Sequence, residues 1–432
     1  MINTRGIADE INDEIISLRR DFHKYPELAF TEFRTASLIA RKLNDIGCEI
    51  KIGREIMDAK SRMALPSKEI LEKEFKRAIA QGGDTEFLNK VKGGFPAVAA
   101  VISNGKGPVI ALRVDMDALP IQENSSSRHF PFGKGFASVN TGVMHACGHD
   151  AHAVTGLGVA EILMKFKDKM RGTVKIIFQP AEEIICGAYP IVKSGFLDDV
   201  DRIMAIHYYS PWDPGLVSCT RGQNGHLAIS RFDARFKGRQ SHAGSKPEDG
   251  KNALMSAANA VLNLNAIPRN SNGATRISVG KLNAGTSRNV TCDEAVMEIE
   301  TRGATTELNE YMNENALRIL KASAELWDCK LEVKPMGSAP GGSSDDDFAD
   351  EIMTYAKKAK TLTASENQRN CGSEDFICML EHVRKCGGKG AVISIGSGPG
   401  GPHHSSEFDM NEAVIKDSIV FLSGFIFECL QK

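Results

Sequence analysis

The chain lacks a long hydrophobic run, a marked excess of charge of either sign and any extended low-complexity tract. Its longest apolar runs, such as residues 109–112, have the length of a strand, so no membrane partner is expected. The formal net charge of −2 at pH 7 offers no electrostatic reason to bind nucleic acid. No charged-then-apolar leader opens the sequence, and its ten cysteines are scattered. This combination favours a reduced, cytoplasmic protein over a disulfide-bonded secreted one.

The 432 residues exceed the length of one ordinary core, so we expect two domains. Helical periodicity over residues 8–47 predicts two helices that separate near Pro26. Further along, strand-like and helix-like segments alternate, which is typical of a mixed, mostly parallel α/β sheet flanked by helices. The segments predicted for this sheet are strands at 97–102, 108–114, 173–178, 202–207 and 391–395, with a helix at about 152–168.

Residues 222–336 depart from this alternation. Their predicted elements follow the order β-α-β-β-α-β, which is that of small ferredoxin-like α+β domains. Because the segments on both sides are needed to complete the first sheet, we predict that this domain is inserted. Residues 1–221 and 337–432 then form the other domain. A charged, helix-prone stretch at about 54–92, with its apolar residues on one face, predicts a helical insertion into that first domain.

The strongest chemical signal is H-A-C-G-H-D-A-H at residues 145–152. It holds three histidines and one cysteine, all of which are metal-ligand types. A polar loop that enters a helix explains any one of them, but four together favour a metal site. Taken alone, Cys147 beside a histidine also fits a nucleophilic pair. That alternative predicts an activity that survives chelation and is lost on thiol alkylation.

Further ligand-type side chains follow the predicted strands at their C-terminal ends. They are Asp115 and Asp117, Glu182 and Glu183, His207, and His403 and His404. In an open α/β sheet these ends converge on one crevice. Carboxylates crowded there repel one another, and cations hold them ionised. We therefore expect a two-metal hydrolytic site. On an extended segment the two adjacent glutamates point apart, so that one binds metal and the other faces the attacking water.

Motifs along nearly the whole chain resemble those of the M20 metallopeptidases, and within them the amidohydrolase branch of hippurate and auxin-conjugate hydrolases. The motifs are R-R-D-F-H at 19–23, R-V-D-M-D-A-L-P at 113–120, H-A-C-G-H-D-A-H at 145–152, P-A-E-E at 180–183, S-H-A-G at 241–244, G-S-E-D-F at 372–376 and H-S at 404–405. The insertion at residues 53–66 is similar to that of A-type subunits of aminobenzoyl-glutamate hydrolases. The resemblance implies a zinc-peptidase-like catalytic domain and an inserted domain for dimerisation and lid closure.

The resemblance also implies a metal centre with two divalent ions, zinc or manganese, in each subunit. Its implied ligands are Cys147, His149, Glu183, His207 and His404. We prefer His404 to the neighbouring His403 because Ser405 follows it, as in the family motif. In many members of the branch a glycine follows the second glutamate, whereas Ile184 stands there in this chain. This departure concerns the floor of the pocket and leaves the ligands unchanged.

Carried over by motif, Glu182 is implied as the general base and Asp117 as the group that orients a metal ligand. His242 and Asn289 of the inserted domain are implied to polarise the scissile carbonyl and to grip the substrate. From its charge and position, we assign Arg288 as a partner for a substrate carboxylate, with a solvated surface charge as the alternative.

The implied activity is hydrolysis of the amide bond of p-aminobenzoyl-glutamate or a similar N-acyl or N-aroyl amino acid. A hippurate-type N-acyl amino acid or a dipeptide is the alternative substrate. Besides this small-molecule substrate, the resemblance implies a protein partner. That partner is either a second copy of the chain, in a homodimer, or a paralogous subunit, in a heteromer.

Overall fold

The computed structural model describes residues 2–222, 225–366 and 372–431. The chain forms two compact units, each of which is described here by itself. Unit 1 comprises Met1–Asn224, Ser343–Asn370 and Cys378–Lys432, and unit 2 comprises Gly225–Gly342 and Cys371–Ile377. Within the described ranges, no helix combines the length and the apolar character that crossing a bilayer requires.

The strands and helices are numbered in chain order. The strands are β1 (Glu49–Ile52), β2 (Val98–Asn104), β3 (Val109–Asp115), β4 (Gly172–Gln179), β5 (Arg202–Tyr209), β6 (Leu216–Cys219), β7 (Ala228–Lys237), β8 (Thr275–Ala284), β9 (Glu294–Gly303), β10 (Lys330–Ala339), β11 (Thr363–Ala364) and β12 (Lys389–Gly396). The helices are α1 (Thr4–Lys24), α2 (Phe33–Asp45), α3 (Lys68–Ala80), α4 (Thr85–Val91), α5 (Phe130–Gly133), α6 (His149–Lys165), α7 (Ala188–Lys193), α8 (Ala253–Asn265), α9 (Thr306–Leu326), α10 (Asp346–Ala359), α11 (Phe376–Lys385) and α12 (Ala413–Cys429).

Unit 1 is built on an eight-stranded mixed sheet of order β1-β2-β4-β3-β5-β12-β6-β11. Its centre, β4-β3-β5-β12, is parallel, whereas the β1–β2, β2–β4 and β6–β12 pairs are antiparallel. The α/β class and the mostly parallel sheet predicted from the sequence are therefore confirmed. The five predicted strands are all present, with ends that differ by a few residues, and β1, β6 and β11 are additions that the sequence pattern did not reveal.

Helix α6 runs through the core of unit 1, and almost every residue from 149 to 163 is buried. It packs against β3, α1 and α12. Gly158 permits the close approach to α12, because a Cβ at this position would lie only 2.9 Å from Cγ1 of Ile419. Two small residues, Gly156 and Gly158, thus let a fully buried helix sit between the sheet and α12. The N-terminus of α6, at His149, is held in place by this packing.

The insertion predicted at 54–92 is only partly helical. Helices α3 and α4 occupy its second part, whereas residues 56–66 are irregular. In that irregular part the Asp58 carboxylate accepts hydrogen bonds from the backbone N–H groups of Lys60 and Ser61, at 3.1 and 2.9 Å. Such local side-chain-to-backbone bonds compete with helix formation. Within the predicted insertion the helices are therefore α3 and α4, and composition and charge do not register the local bonds found in the irregular residues 56–66.

Unit 2 has a four-stranded antiparallel sheet of order β10-β7-β9-β8. Its elements follow one another as β7-α8-β8-β9-α9-β10, which is the β-α-β-β-α-β order expected of a ferredoxin-like domain. Buried side chains of β7 and β9, among them Phe232, Phe236 and Met297, pack against apolar residues of α8 and α9. Unit 2 therefore has a hydrophobic core of its own.

We expect Gly158→Leu to destabilise unit 1 by about 1–3 kcal/mol, because the new side chain must displace Ile419 from a closely packed helix pair. Urea denaturation followed by circular dichroism measures this change. Gly280→Ala is the control, since a Cβ at Gly280 meets no atom within 4 Å. The control should stay within about 0.5 kcal/mol of the unsubstituted protein. Equal stability of the Gly158→Leu variant and the parent would contradict the described contact between α6 and α12.

Candidate metal centre

Polar side chains gather at one edge of the unit 1 sheet, where the four central parallel strands end. Strand β3 ends at Asp115, and β5 carries His207 near its end. The loop after β4 carries Glu182 and Glu183, and the loop after β12 carries His404. Because the four strands are parallel neighbours, their carboxyl ends lie side by side. This common edge brings together groups that are far apart in the sequence.

A sharp turn before α6 places two ligand-type side chains at this edge. Gly148 has a φ of +87°, a left-handed conformation that glycine adopts without strain. Cys147 precedes this turn and His149 opens α6, and both side chains are buried. The Sγ atom of Cys147 lies 3.4 Å from Nε2 of His207. The ligand atoms of Cys147, His149 and His207 all lie within 4.8 Å of one another.

Cys147 also belongs to a second group, which it forms with Glu183 and His404. Nε2 of His404 lies 3.5 Å from Oε2 of Glu183, and Nε2 of His149 lies 3.7 Å from Oε1 of Glu183. These separations are longer than ordinary N–H···O hydrogen bonds. They match the spacing of about 3.3–3.8 Å between two ligands that each bind one ion at about 2.0–2.3 Å. These thiol, imidazole and carboxylate groups are donors that would fit divalent metal ions, with Cys147 in both groups.

Asp117 holds several of these groups in position. Its Oδ1 atom lies 3.3 Å from Nδ1 of His149, while Nε2 of His149 is buried and has no hydrogen-bond partner in the part of the chain that is described. The ring thus presents Nε2 to the ligand group, as metal-binding histidines do when their other nitrogen is held by a carboxylate. Asp117 also accepts the backbone N–H groups of Glu182 and Glu183, at 3.1 and 3.0 Å.

The two glutamates lie on a tight turn. The backbone N–H of Ile185 donates to the carbonyl oxygen of Glu182 at 2.7 Å, and Ala181 has a left-handed φ of +57°. Oε2 of Glu182 and Oε1 of Glu183 lie 3.8 and 3.7 Å from Nε2 of His149. The expectation that they point apart on an extended segment is wrong. The turn directs both carboxylates toward His149.

The histidine pair after β12 divides between two environments. Nε2 of His403 accepts a hydrogen bond from the backbone N–H of Ser210 at 3.0 Å, and its Nδ1 lies 3.5 Å from Sγ of Cys147. His404 has a left-handed φ of +59° and directs Nε2 toward Glu183. His403 therefore links Cys147 to the end of β5, whereas His404 joins the ligand group. The choice of His404 as the ligand stays a prediction.

The ionisable groups of the cluster perturb one another strongly. Burial raises the pKa of the Cys147 thiol well above its usual range, and the Glu183 and Glu182 carboxylates raise it further. Burial likewise raises the pKa of Glu183 to about 7, although the charge of His149 opposes this shift. Burial alone would lower the pKa of His149, but the Asp115 carboxylate and other acids raise it to about 10. Such crowding of negative groups is what a bound cation relieves.

The loop between α1 and α2 forms hydrogen bonds with the backbone of the segments that carry the cluster. Oε1 of Glu32 accepts the backbone N–H of Ala181 at 2.8 Å, and the carbonyl oxygen of Glu27 accepts that of Ala118 at 2.8 Å. Burial raises the pKa of Glu32 well above its usual range, and the charge of Asp117 adds to this effect. Glu32 was not predicted from the sequence, because a single glutamate in a loop looks like a solvated surface residue. No spacing signal marks it.

The three substrate-binding residues predicted from the sequence lie in unit 2. Nδ1 of His242 accepts the backbone N–H groups of Gly244 and Ser245, both at 3.1 Å. With Nδ1 used as an acceptor, Nε2 of this neutral ring carries the proton and is a donor. The backbone N–H that follows His242 donates to the carbonyl oxygen of Asn289 at 3.1 Å. His242, Asn289 and the exposed Arg288 are therefore neighbours within unit 2.

Comparison with known proteins identifies the family. The model of peptidase family M20/M25/M40 matches residues 111–428. The chain belongs to this family. The predicted resemblance to the M20 metallopeptidases is thereby confirmed, and the chain is a metallohydrolase that acts on amide bonds.

Two curated M20 relatives and two solved structures cover nearly the whole chain. The A-type subunit of p-aminobenzoyl-glutamate hydrolase from Escherichia coli is 39% identical over 94% of this chain and 93% of its own length. Indole-3-acetyl-aspartic acid hydrolase of Enterobacter agglomerans is 39% identical over 95% and 94%. The aminobenzoyl-glutamate utilization protein of Klebsiella pneumoniae has a TM-score of 0.84 at 33% identity, covering 99% and 98%. A dinuclear metal-binding M20 peptidase of Bacillus subtilis has a TM-score of 0.69 at 26% identity, covering 98% and 99%.

The buried carboxyl of Glu27 predicts a pH-dependent stability. Burial raises its pKa to about 7, although the backbone N–H groups of Thr35 and Arg34 donate to it. The pKa of Glu27 in the folded chain lies above the ordinary value of 4.5. The protonated carboxyl therefore stabilises the folded chain fully below about pH 4.5, and this stabilisation is lost as the pH rises through 7. The unfolding free energy should fall by about 3 kcal/mol over that range from this group.

Urea unfolding at a series of pH values between 5 and 8 measures this dependence. Glu27→Gln should flatten the curve relative to the unsubstituted protein. Glu72→Gln, at an exposed position on α3, is the matched control and should leave the slope unchanged. If the Glu27→Gln curve kept the original slope, the carboxyl would be ionised in the folded and the unfolded chain alike.

Proposed function

We propose that the chain hydrolyses the amide bond between an aromatic acyl group and an acidic amino acid, with p-aminobenzoyl-glutamate as the expected substrate. The observation that carries this proposal is that two groups of metal-ligand side chains share Cys147 at the sheet edge. The two relatives at 39% identity are named for p-aminobenzoyl-glutamate and indole-3-acetyl-aspartic acid. Both compounds join an aromatic acid to a dicarboxylic amino acid through an amide, and this shared feature defines the substrate class.

The proposed metal ligands form two groups, and Cys147 belongs to both. His149 and His207 lie with it in one group, and Glu183 and His404 lie with it in the other. A mixture of thiolate, imidazole and carboxylate donors suits zinc, and manganese is the alternative. Two such ions, when bound, polarise the scissile carbonyl and lower the pKa of the attacking water.

Glu182 is the proposed general base. Its carboxylate takes a proton from the attacking water and later gives it to the nitrogen of the leaving amine. The side chain suits this role, because the residue is only 7% exposed and its Oε2 atom lies 3.8 Å from Nε2 of His149. Asp117 is a positioning residue, because its carboxylate accepts the backbone N–H groups of both glutamates and contacts the ring of His149. In this assignment Glu183 binds metal while its neighbour moves the proton.

We propose the roles of lid and dimerisation domain for unit 2, whose main segment, Gly225–Gly342, overlaps the inserted domain predicted at 222–336. The Nε2–H group of His242 is suited to donate to the oxygen of the scissile carbonyl, and the Asn289 amide to grip the substrate. Arg288 is the proposed partner of the substrate carboxylate, because a guanidinium pairs with a carboxylate through two parallel hydrogen bonds.

We propose that the active form contains two protein chains, either two copies of this one or this one with a paralogue. Two relatives carry the name of a p-aminobenzoyl-glutamate hydrolase subunit or of its homologue, which supports the presence of a partner. The cysteines of the described ranges form no disulfide, which agrees with the expected cytoplasmic location, where disulfides are rare.

A small substrate panel tests the proposed function. With metal supplied, we expect kcat/KM for p-aminobenzoyl-glutamate and indole-3-acetyl-aspartate to exceed that for hippurate and a neutral dipeptide by roughly tenfold or more. Hippurate and the dipeptide keep the α-carboxylate but lack the side-chain carboxylate of glutamate and aspartate, and a site that pairs with that group rejects analogues without it. Chelation should abolish turnover, and added zinc or manganese should restore it. A higher kcat/KM for hippurate or the dipeptide would contradict the proposed substrate class and favour the alternative one. Activity that survives chelation and is lost on alkylation would indicate a cysteine hydrolase.

Adjacent glutamates allow a sharp test of the mechanism. Glu182→Ala should lower kcat by roughly 10²–10⁴-fold, the usual contribution of a general base, while bound metal stays at the level of the unsubstituted protein. Glu183→Ala, its neighbour on the same turn, should lose bound metal together with activity. Elemental analysis and steady-state kinetics separate the two outcomes. Near-normal turnover of the Glu182→Ala variant would remove Glu182 from the mechanism.

A further inference from the structure

A separate group of side chains of metal-ligand type lies away from the candidate metal centre, around His382. Nε2 of His382 lies 2.8 Å from Oδ1 of Asp198 and 3.7 Å from Sγ of Cys386. The ligand atoms of Asp198, His382 and Cys386 all lie within 4.8 Å of one another. One ring nitrogen therefore faces both a carboxylate and a thiol.

This group lies at the opposite end of the central strands from the candidate metal centre. Asp198 precedes β5, which begins at Arg202, and Cys386 precedes β12, which begins at Lys389. The two strands are parallel, and Lys389 pairs with Arg202. A strand of this length spans about 25 Å at 3.3 Å per residue. The group around His382 is thus separated from His207, near the far end of β5, by almost the whole strand.

Two of the three side chains come from one helical turn with a fixed end. His382 and Cys386 are four residues apart, which puts them on the same face at the C-terminus of α11. The backbone N–H of Cys386 donates to the carbonyl oxygens of His382 and Val383, both at 3.1 Å. Gly387 follows with a left-handed φ of +94°, which ends the helix in the usual way. The backbone that carries the thiol is therefore well defined.

The third side chain sits on a turn that packs directly against this helix end. The residue before Asp198, Leu197, is fully buried, and the N–H of Val200 donates to its carbonyl oxygen at 3.2 Å. A Cβ added at Gly388 would lie 2.6 Å from the carbonyl oxygen of Val200, so the two turns are in close contact. Close backbone contact fixes the separation of Asp198 from the end of α11.

Cys386 is also unusual among the cysteines of this chain. Of those in the described ranges, it alone is exposed, whereas the others are buried or half-buried. Free cysteine ordinarily behaves as a small core residue, and its reactivity or metal binding explains its presence elsewhere. The neighbouring Arg384 is already engaged by Asp345 and Glu381. Its guanidinium is therefore directed to other carboxylates than Asp198.

We propose that Asp198, His382 and Cys386 bind one zinc ion, or a similar borderline-soft divalent cation, with water as the fourth ligand. Around zinc, neighbouring nitrogen and sulfur ligands lie about 3.5 Å apart, close to the present separation. The carboxylate and ring must open by roughly half an ångström, and the Asp198 side chain is free to move because it is 64% exposed. On binding, the ion takes Nε2 of the neutral ring, whose proton moves to Nδ1 through exchange with solvent, and the thiol releases its proton to solvent.

Metal counting tests this site. The intact protein is dialysed against excess zinc, then against metal-free buffer, and its zinc content is measured. We expect Cys386→Ser to contain one zinc fewer per chain than the unsubstituted protein, with unchanged hydrolysis of p-aminobenzoyl-glutamate. Cys329→Ser, which removes a half-buried thiol of unit 2, is the control and should keep the full content. Equal zinc content in the Cys386→Ser variant and the unsubstituted protein would overturn the proposal.

Thiol protection gives a second, independent measurement. Zinc should slow the alkylation of Cys386 by iodoacetamide at least about tenfold, as followed by peptide mass spectrometry, because a metal-bound thiolate is not available to the reagent. His382→Gln should remove this protection while the thiol itself stays reactive. The same labelling rate with and without zinc would refute the site. Failure of the proposed hydrolysis would leave both measurements unaffected, since neither depends on turnover.

Discussion

Unit 1 depends on the burial of several acidic groups side by side at the end of four parallel strands. Burying a charge is costly unless partners compensate it. Asp115 is compensated by His152 and Arg113, and Asp117 by backbone N–H groups. The Cys147 thiol instead faces carboxylates that oppose its ionisation. Divalent cations are the groups that satisfy a thiolate and these carboxylates together, so the electrostatics of the edge and the metal-dependent chemistry have the same origin.

The support of this edge comes from the α1–α2 loop, which carries no proposed ligand, and from helix α6, which carries one at its first residue. The α1–α2 loop binds the backbone beside Asp117 and beside Glu182 through Glu27 and Glu32. Helix α6, buried through most of its length, fixes His149 at its first residue. Backbone hydrogen bonds and core packing thus hold His149 and the segments that carry Asp117 and Glu182. Functional groups need this kind of support, because small displacements of a ligand or a base weaken metal binding and catalysis.

The sequence predicted what depends on local pattern and on residue type. The strands of the main sheet show as apolar segments, and H-A-C-G-H-D-A-H predicts a metal-ligand loop because four residues of ligand type rarely occur so close together by chance. The turn that carries Glu182 and Glu183 was not predictable. Its left-handed residues are Ala181 and Ile185, and neither is a glycine, the residue type that usually indicates such a conformation in a sequence. The irregular structure of residues 56–66 and the role of Glu32 were not predicted for a related reason. Both depend on hydrogen bonds to particular backbone groups, which composition does not show.

The two units have separate hydrophobic cores, and this separation bears on how substrate preference is set. All five proposed metal ligands belong to unit 1, whose core is formed by α6, α12 and the large sheet. The proposed partner of the substrate carboxylate, Arg288, belongs to unit 2, which packs around its own four-stranded sheet. Substitutions that alter one densely packed core need not disturb the other. With the proposed role of Arg288, substitutions in unit 2 would alter which acyl amino acid is preferred without altering the core that supports the proposed ligands and general base. The fold and the family indicate the class of reaction, whereas the substrate rests on particular side chains and needs its own test.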